Sequence, residues 1–289
     1  MRLFFYNCII LILLPILIIR LVIKSLKDKD YLKNFSNRLG LYSEKSYSNV
    51  IWFHAVSLGE VISSQIIVKE LLEDNKVVLS VSTATGLREA KKIYGQKLFV
   101  VYAPWDSIIF INSFLNKFRP KALILFETEI WPSMIHACWK NKIPVILSNA
   151  RLSESSYKKY NLVKLFINKT LNEFSLILAQ SYEHVTRFKA LGVNDNIIFK
   201  VGSSKFDLES NNEFESQDFI LSHDFILAAS THKGEDELII SSYLKLKEEF
   251  KDLKLVIVPR HPERTNSIEE ILKDHKINFK MSSDCKFNL

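Results

Sequence analysis

Apolar positions are distributed along the chain in three regimes. From Leu3 to Ile19 they run almost without interruption, broken only by Tyr6, Asn7, Cys8 and Pro15, and they resume at Leu21 to Ile23. A helix of about 17–21 residues spans roughly 25–31 Å, about one bilayer core. Arg20, Lys24, Lys27 and Lys29 follow it, with Lys33 and Arg38 beyond. A cleaved signal peptide has a shorter apolar stretch and small residues at its cleavage site, so this pattern predicts an uncleaved anchor over residues 1–24. Positive charge on its carboxyl side predicts that the remainder stays in the cytoplasm. A monotopic anchor lying in the inner leaflet is the other form open to so short a span with a basic flank.

Beyond about residue 50, short apolar runs alternate with amphipathic stretches. Strands are predicted at 50–56, 77–82, 98–102, 121–125, 143–147, 175–179 and 197–201, and helices near 60–74, 86–94, 106–118, 131–141, 153–172 and 181–191. That alternation implies an α/β domain, a parallel sheet with helices on both faces, over residues 25–206. Ligands then bind beyond the carboxyl ends of the strands. The polar stretch 207–219 reads as a linker. The alternation restarts over 220–289: strand 224–229, helix 235–250, strand 253–258, helix 264–275 and a further strand at 277–280. This second α/β unit has too few elements to bury a core of its own.

Composition narrows the partners without choosing one. Of 289 residues, 47% are hydrophobic and 25% charged, the balance of a folded protein. The net charge of +7 suits nucleic acid, an anionic membrane or a phosphorylated ligand. Nucleic acid is the poorest match, because no basic stripe with interleaved aromatics is present. Cys8, Cys138 and Cys285 are far apart, which argues against a disulfide scaffold and a zinc site. Dinucleotide, P-loop and zinc-protease motifs are absent.

Polar groups concentrate at the ends of the predicted strands. In HAVSLGEV (54–61), Glu60 starts a helix; it is either a simple helix-start acid or a general base in a ligand crevice. In FETEIWP (126–132), Glu127 and Glu129 follow a predicted central strand beside an indole, as a sugar or amine site or as a capping box for the next helix. In SNARLSE (148–154), Arg151 is suited to a buried carboxylate or to an anionic substrate. VGSSKFD (201–207) offers Lys205 as a mobile cation. In the second unit, Ser230, Thr231 and His232 end one strand, and Arg260 and His261 end the next. Hydroxyls and cations at helix amino termini suit phosphate.

In this order, these segments resemble the lipid A 3-deoxy-manno-octulosonic acid (Kdo) transferases. The resemblance runs from the anchor through YLKNFSNRLGLY (31–42), HAVSLGE, STATG (82–86), and Tyr102 with Pro104 and Asp106. It continues through FETEIWP, IPVILSNARLSE, AQSYEHVTRF (179–188) and VGSSKFD to ASTHKGE and VPRHPER, reaching about residue 265. It implies a GT-B fold, two Rossmann-like domains facing a cleft, and an inverting, metal-free transfer with no cofactor. The donor is implied to be CMP-Kdo, and the acceptor a lipid A precursor at the inner membrane. Glu60 falls at the family's general base, and Glu127 and Lys205 at positions stabilising the transition state. Pro259 and Arg260 match a segment contacting the donor nucleotide. Ser204 stands where leucine is usual. The family also continues for well over a hundred residues, with a glycine-rich segment and an Asn-Pro-Leu-Glu-like segment that this sequence lacks. The competing expectation is therefore a non-catalytic fragment, or an acceptor-lipid-binding module working beside a separately encoded carboxyl-terminal half.

Overall fold

The computed structural model describes residues 2–43, 47–204 and 224–281. Lys205 and the rest of VGSSKFD after Ser204, the 207–219 stretch and Cys285 lie outside the described residues. The chain divides into two compact units, Met1–Ser210 and Asn211–Leu289.

The first unit holds a seven-stranded sheet: β1 Val50–His54, β2 Val77–Val81, β3 Phe99–Tyr102, β4 Pro120–Phe126, β5 Val145–Ala150, β6 Leu176–Ala179 and β7 Ile198–Lys200. Every pair is parallel, in the order β3-β2-β1-β4-β5-β6-β7. The runs VIWFH and VVLSV are buried at every position. Such unbroken apolar runs are what a sheet covered on both faces requires. Alternate residues feed opposite cores: Val50, Trp52, Leu123 and Leu125 enter one, Ile51, Phe53, Ile124 and Phe126 the other. In the first core, Trp52 stacks on Phe114 at 3.9 Å between ring centres. The chain builds outward from β1 to β3, then returns beside β1 with β4 and builds the other way. The sheet's topological switch point therefore lies between β1 and β4, where ligand crevices form in doubly wound sheets.

The connecting helices are α3 Leu58–Ser63, α4 Gln65–Asp74, α5 Ala84–Tyr94, α6 Ile108–Phe118, α7 Pro132–Lys140, α8 Glu154–Leu162, α9 Lys164–Leu171 and α10 Tyr182–Ala190. Two predicted helices are each broken in two. The 60–74 helix starts earlier, at Leu58, and breaks at Ser64, where the Ser63 and Ser64 hydroxyls bond back to the carbonyls of Gly59 and Val61. The 153–172 helix breaks at Val163, whose amide turns back to Tyr160. The strand predicted at 143–147 begins at Val145 and continues through a bulge to Ala150.

The amino-terminal helix α1, Arg2–Lys27, is long and apolar enough to cross a membrane. It is also tied to the domain. Tyr6 donates its hydroxyl to Asp106 at 2.8 Å. Asn7 is buried; its amide donates to Ser133 Oγ at 3.0 Å, and its Oδ1 accepts the Ile108 amide at 2.7 Å. A short helix, α2 Phe35–Arg38, precedes the sheet.

The second unit pairs β8 Phe225–Thr231 in parallel with β9 Lys254–Pro259. Helix α11 Glu235–Glu249 makes the crossover, and α12 Thr265–Asp274 follows β9. Ile240, Tyr243 and Ile268 are buried, while Phe225, Leu227 and Val258 keep about half of their surface exposed. The strand predicted at 277–280 does not form. Lys276 takes a left-handed φ of 54°, and the Ile277 amide closes back on the Leu272 carbonyl. That is a helix carboxyl cap, and it turns the chain away from extended pairing.

Candidate functional site

At the end of β1, Ser57 caps α3 and the Glu60 carboxylate folds back on the turn. It accepts the Val56 amide and the Ser57 hydroxyl, each at 2.8 Å. This is a variant of the capping box, with the carboxylate reaching the amide before the N-cap, so Glu60 is a helix-start acid in its local geometry. The same bonds fix the direction of a half-buried carboxylate at the switch point. Helix α5 packs closely against this turn. A Cβ on Gly86 would lie 2.9 Å from Thr83 Oγ1 and 3.3 Å from both Leu58 N and Ser57 C. The glycine of STATG thus lets α5 approach the segment that carries Glu60.

The end of β4 lies beside the end of β1, with His54 and Leu125 in register. Glu127 continues the ladder through its amide to the Ser148 carbonyl, yet sits at φ 64°. A left-handed non-glycine residue there costs roughly 1–3 kcal/mol, and such outliers cluster at functional sites. Glu129 accepts the Trp131 indole N–H at 2.5 Å. Neither acid caps α7. Its first amides, Ser133 and Met134, go to the buried Asp106 carboxylate at 3.1 and 2.8 Å. FETEIWP is therefore no capping box for α7.

Glu60, Glu127 and Glu129 form one electrostatic cluster although 67 residues separate Glu60 from Glu127 in the chain. Burial, then the charge of Glu60 and that of Glu127, push the Glu129 carboxyl up to about 8 against the opposing indole bond. Glu129 is therefore protonated at neutral pH beside two other acids. Tyr160 of α8 lies within reach of this charge, and its phenol is raised by burial first and by Glu129 second.

The sequence assigns no role to two supports of this cluster. His54 is fully buried beneath it, edge-on to Trp131 at 5.5 Å between ring centres, with Nδ1 2.8 Å from Ser80 Oγ. Burial lowers its pKa to about 4, so it stays neutral. An apolar run ending in histidine was the available signal. The second support is AQSYEHVTRF, which braces the neighbouring strand end. Gln180 donates to the Asn149 carbonyl at 3.0 Å, and Arg187 to the Leu152 carbonyl at 2.8 Å. Asn149, inside β5, is also left-handed, with φ 54°. Arg151 is exposed and makes no ion pair with a described residue.

In the second unit, Ser230, Thr231, His232, Pro259 and Arg260 meet at one end of the strand pair, where Thr231 is in register with Pro259. Ser230 is exposed and left-handed, with φ 60°. Thr231 is buried, and its carbonyl accepts the Arg260 amide and the Arg264 guanidinium. Arg260 itself is exposed. The start of α11 is not the hydroxyl-lined anion site its sequence suggests. Its first turn carries Glu235, Asp236 and Glu237, and Glu235 already accepts the His232 amide at 2.7 Å. Three acids disfavour an anion there, which leaves the start of the segment after β9 as the more favourable end.

A family model described as 3-deoxy-D-manno-octulosonic-acid transferase matches residues 33–208. A 3-deoxy-D-manno-octulosonic acid transferase of Haemophilus influenzae is 34% identical over 96% of this chain and 67% of its own length. One from Rickettsia typhi is 32% identical over 85% of this chain and 54% of its own length. The chain thus spans between about half and two thirds of these relatives. In fold, it is similar to the UDP-bound MnaA of S. aureus, with a TM-score of 0.54 and 18% identity, covering 78% of this chain and 65% of that one. The sequence match and the doubly wound, GT-B-like architecture agree: the chain belongs to the 3-deoxy-D-manno-octulosonic-acid transferase family.

Proposed function

We propose that this chain supplies the acceptor side, and part of the donor side, of an inverting transferase. It moves Kdo from CMP-Kdo to a phosphorylated lipid A precursor at the cytoplasmic face of the inner membrane. The observation that carries this reading is the carboxyl cluster at the β1–β4 switch point, where Glu129 is held neutral beside Glu60 and Glu127. Neighbouring carboxyl groups in unlike protonation states are the usual arrangement for dividing acid and base roles.

In the reaction, an acceptor hydroxyl attacks the anomeric carbon of Kdo. A carbon–oxygen bond forms on one face as the bond to the phosphate oxygen breaks on the other. The electron pair leaves with cytidine monophosphate, and the configuration inverts. Glu60 takes the hydroxyl proton; its two capping hydrogen bonds keep the carboxylate aimed while the proton moves. Glu127 stabilises the transition state from the adjacent strand end, and neutral Glu129 donates a hydrogen bond within the crevice. Arg260, with Pro259 shaping its turn, is assigned to the donor phosphate, and the family resemblance assigns Lys205 to stabilising the transition state. Ser230 and His232 flank that turn, and Arg151 meets an acceptor phosphate. Helix α1 confines the search for a lipid acceptor to the membrane surface, and the basic flank suits an acceptor bearing phosphates.

The test is Glu60→Gln in the assembled enzyme, assayed for Kdo transfer from CMP-Kdo. Glutamine still completes a capping box, so the fold is kept while basicity is lost. Transfer falls about 10²–10⁴-fold, the usual contribution of a general base. A rate within about threefold of the parent would remove Glu60 from this role.

A further inference from the structure

Helix α1 carries an exposed apolar stripe along its length. Phe5, Ile9, Ile12, Ile16, Ile19 and Ile23 are exposed at alternating four- and three-residue steps, one straight apolar stripe. On the opposite side, Asn7, Leu21 and Ser25 are buried. The helix is held to the protein at Asn7 near its start and at Leu21 and Ser25 near its end, while the stripe between and beyond them stays open. A helix tied down near both ends with an open apolar stripe is suited to lie in the membrane plane as an interfacial helix.

A second exposed apolar feature adjoins it. The Tyr6 ring of α1 meets the Phe166 ring of α9 at 5.8 Å. Immediately before Phe166, at the elbow where α8 gives way to α9, Leu162 is 86% exposed, Val163 51% and Leu165 74%. Three large aliphatic side chains held out together are not explained by the core, which α9 serves with Ile167 and Leu171. Lysines surround them: Lys158, Lys159, Lys164 and Lys169 are all exposed, and of these only Lys158 has a carboxylate partner, Glu154, among the described residues. Apolar tips in a basic collar match the boundary of an anionic bilayer, where chains enter the acyl region and ammonium groups stay among the headgroups.

We propose that the α8–α9 elbow, residues 161–165, is a second bilayer-contacting element that inserts beside α1 into an anionic membrane surface. The proposal rests on the reading of α1 as a membrane anchor. Continuity with α1 and the lysine collar favour lipid over a protein partner. The elbow also has a consequence for the substrate. Helix α8 carries Tyr160, two residues before Leu162, to within electrostatic reach of Glu129, so a lipid held at the elbow is one short helix end from the carboxyl cluster.

The test uses the full chain with Cys8→Ser and Cys285→Ser, leaving the buried Cys138 in place. An environment-sensitive fluorophore is attached at Leu162→Cys, at Ile12→Cys on α1 or at the exposed Lys92→Cys on α5. Vesicles of phosphatidylethanolamine and phosphatidylglycerol at 3:1 are then added. Blue-shifted emission and loss of iodide quenching are expected at positions 12 and 162 and not at 92. A response at 12 without one at 162 overturns the elbow and leaves the α1 anchor standing. A response at neither overturns both. A shift at 162 that grows with protein concentration without vesicles would assign the elbow to self-association instead and overturn the proposal.

Discussion

Replacing Glu129 with glutamine removes the buried acid of the carboxyl cluster while keeping its shape and its acceptor for the Trp131 indole. In the folded chain this carboxyl titrates near 8 instead of 4.5. Between those values the folded state holds a proton that the unfolded state has released, so this group's contribution to stability is complete below pH 4.5 and is lost as pH rises through 8. At about 1.4 kcal/mol per pH unit the full loss approaches roughly 5 kcal/mol, and partial solvation of the site reduces it to about 2–3 kcal/mol. Glutamine does not titrate. The Glu129→Gln variant should therefore match the parent at pH 5 and exceed its stability by about 2–3 kcal/mol at pH 8.5. Urea unfolding in non-ionic detergent, followed by tryptophan emission, measures this directly. Trp52, Trp105, Trp131 and Trp139 all lie in the first unit, so the signal reports that unit alone. Parallel stability curves for parent and variant from pH 5 to 8.5 would refute the reasoning. The same substitution should abolish an alkaline limb near pH 8 in the transfer rate.

Gly86→Ala places a methyl group against Thr83 and the backbone of Ser57 and Leu58. It should cost about 1–3 kcal/mol in urea unfolding and lower transfer as the Glu60 turn is displaced; an unchanged midpoint would mean that α5 yields freely. Arg264→Leu leaves the buried Asp236 without its ion-pair partner and should destabilise the second unit by about 3–5 kcal/mol, read as faster amide exchange across β8 and β9. Adding Asp236→Leu should restore protection; if it does not, the packing of Arg264 matters more than its charge.

The parallel sheet was legible because its strands are buried on both faces and read as unbroken apolar runs, VIWFH and ALILF among them. Strand ends were legible for the same reason: the first acid after such a run marks the carboxyl edge, and this located Glu60 and Glu127. Their proximity was not legible. It follows from the order of strands, which sets β4 beside β1. The extension of β5 to Ala150 was hidden because Ser148 and Asn149 look like a loop, whereas Asn149 turns left-handed inside a bulge. Glu129 looked like the lesser of two acids. Its protonation depends on burial and on the charges of Glu60 and Glu127, against the Trp131 indole bond, which no local pattern encodes. The strand expected at 277–280 had the right alternation, Ile277 and Phe279, but the Ile277 amide was already committed to the end of α12.

The bonds between α1 and the domain bear on how this protein can be handled. Removing an apolar leader is the common route to a soluble enzyme, and cutting after Lys27 would be the obvious choice here. The cut would strip the Ile108 amide of the Asn7 Oδ1 and deprive Asp106 of the Tyr6 hydroxyl. It would also uncover the Phe166 ring beside the elbow. Asp106 holds the first amides of α7, the helix that begins directly after Trp131. A trimmed protein would thus trade one greasy surface for another and loosen the platform beneath Glu129. For this chain, detergent or nanodisc preparation of the intact polypeptide is the sounder starting point.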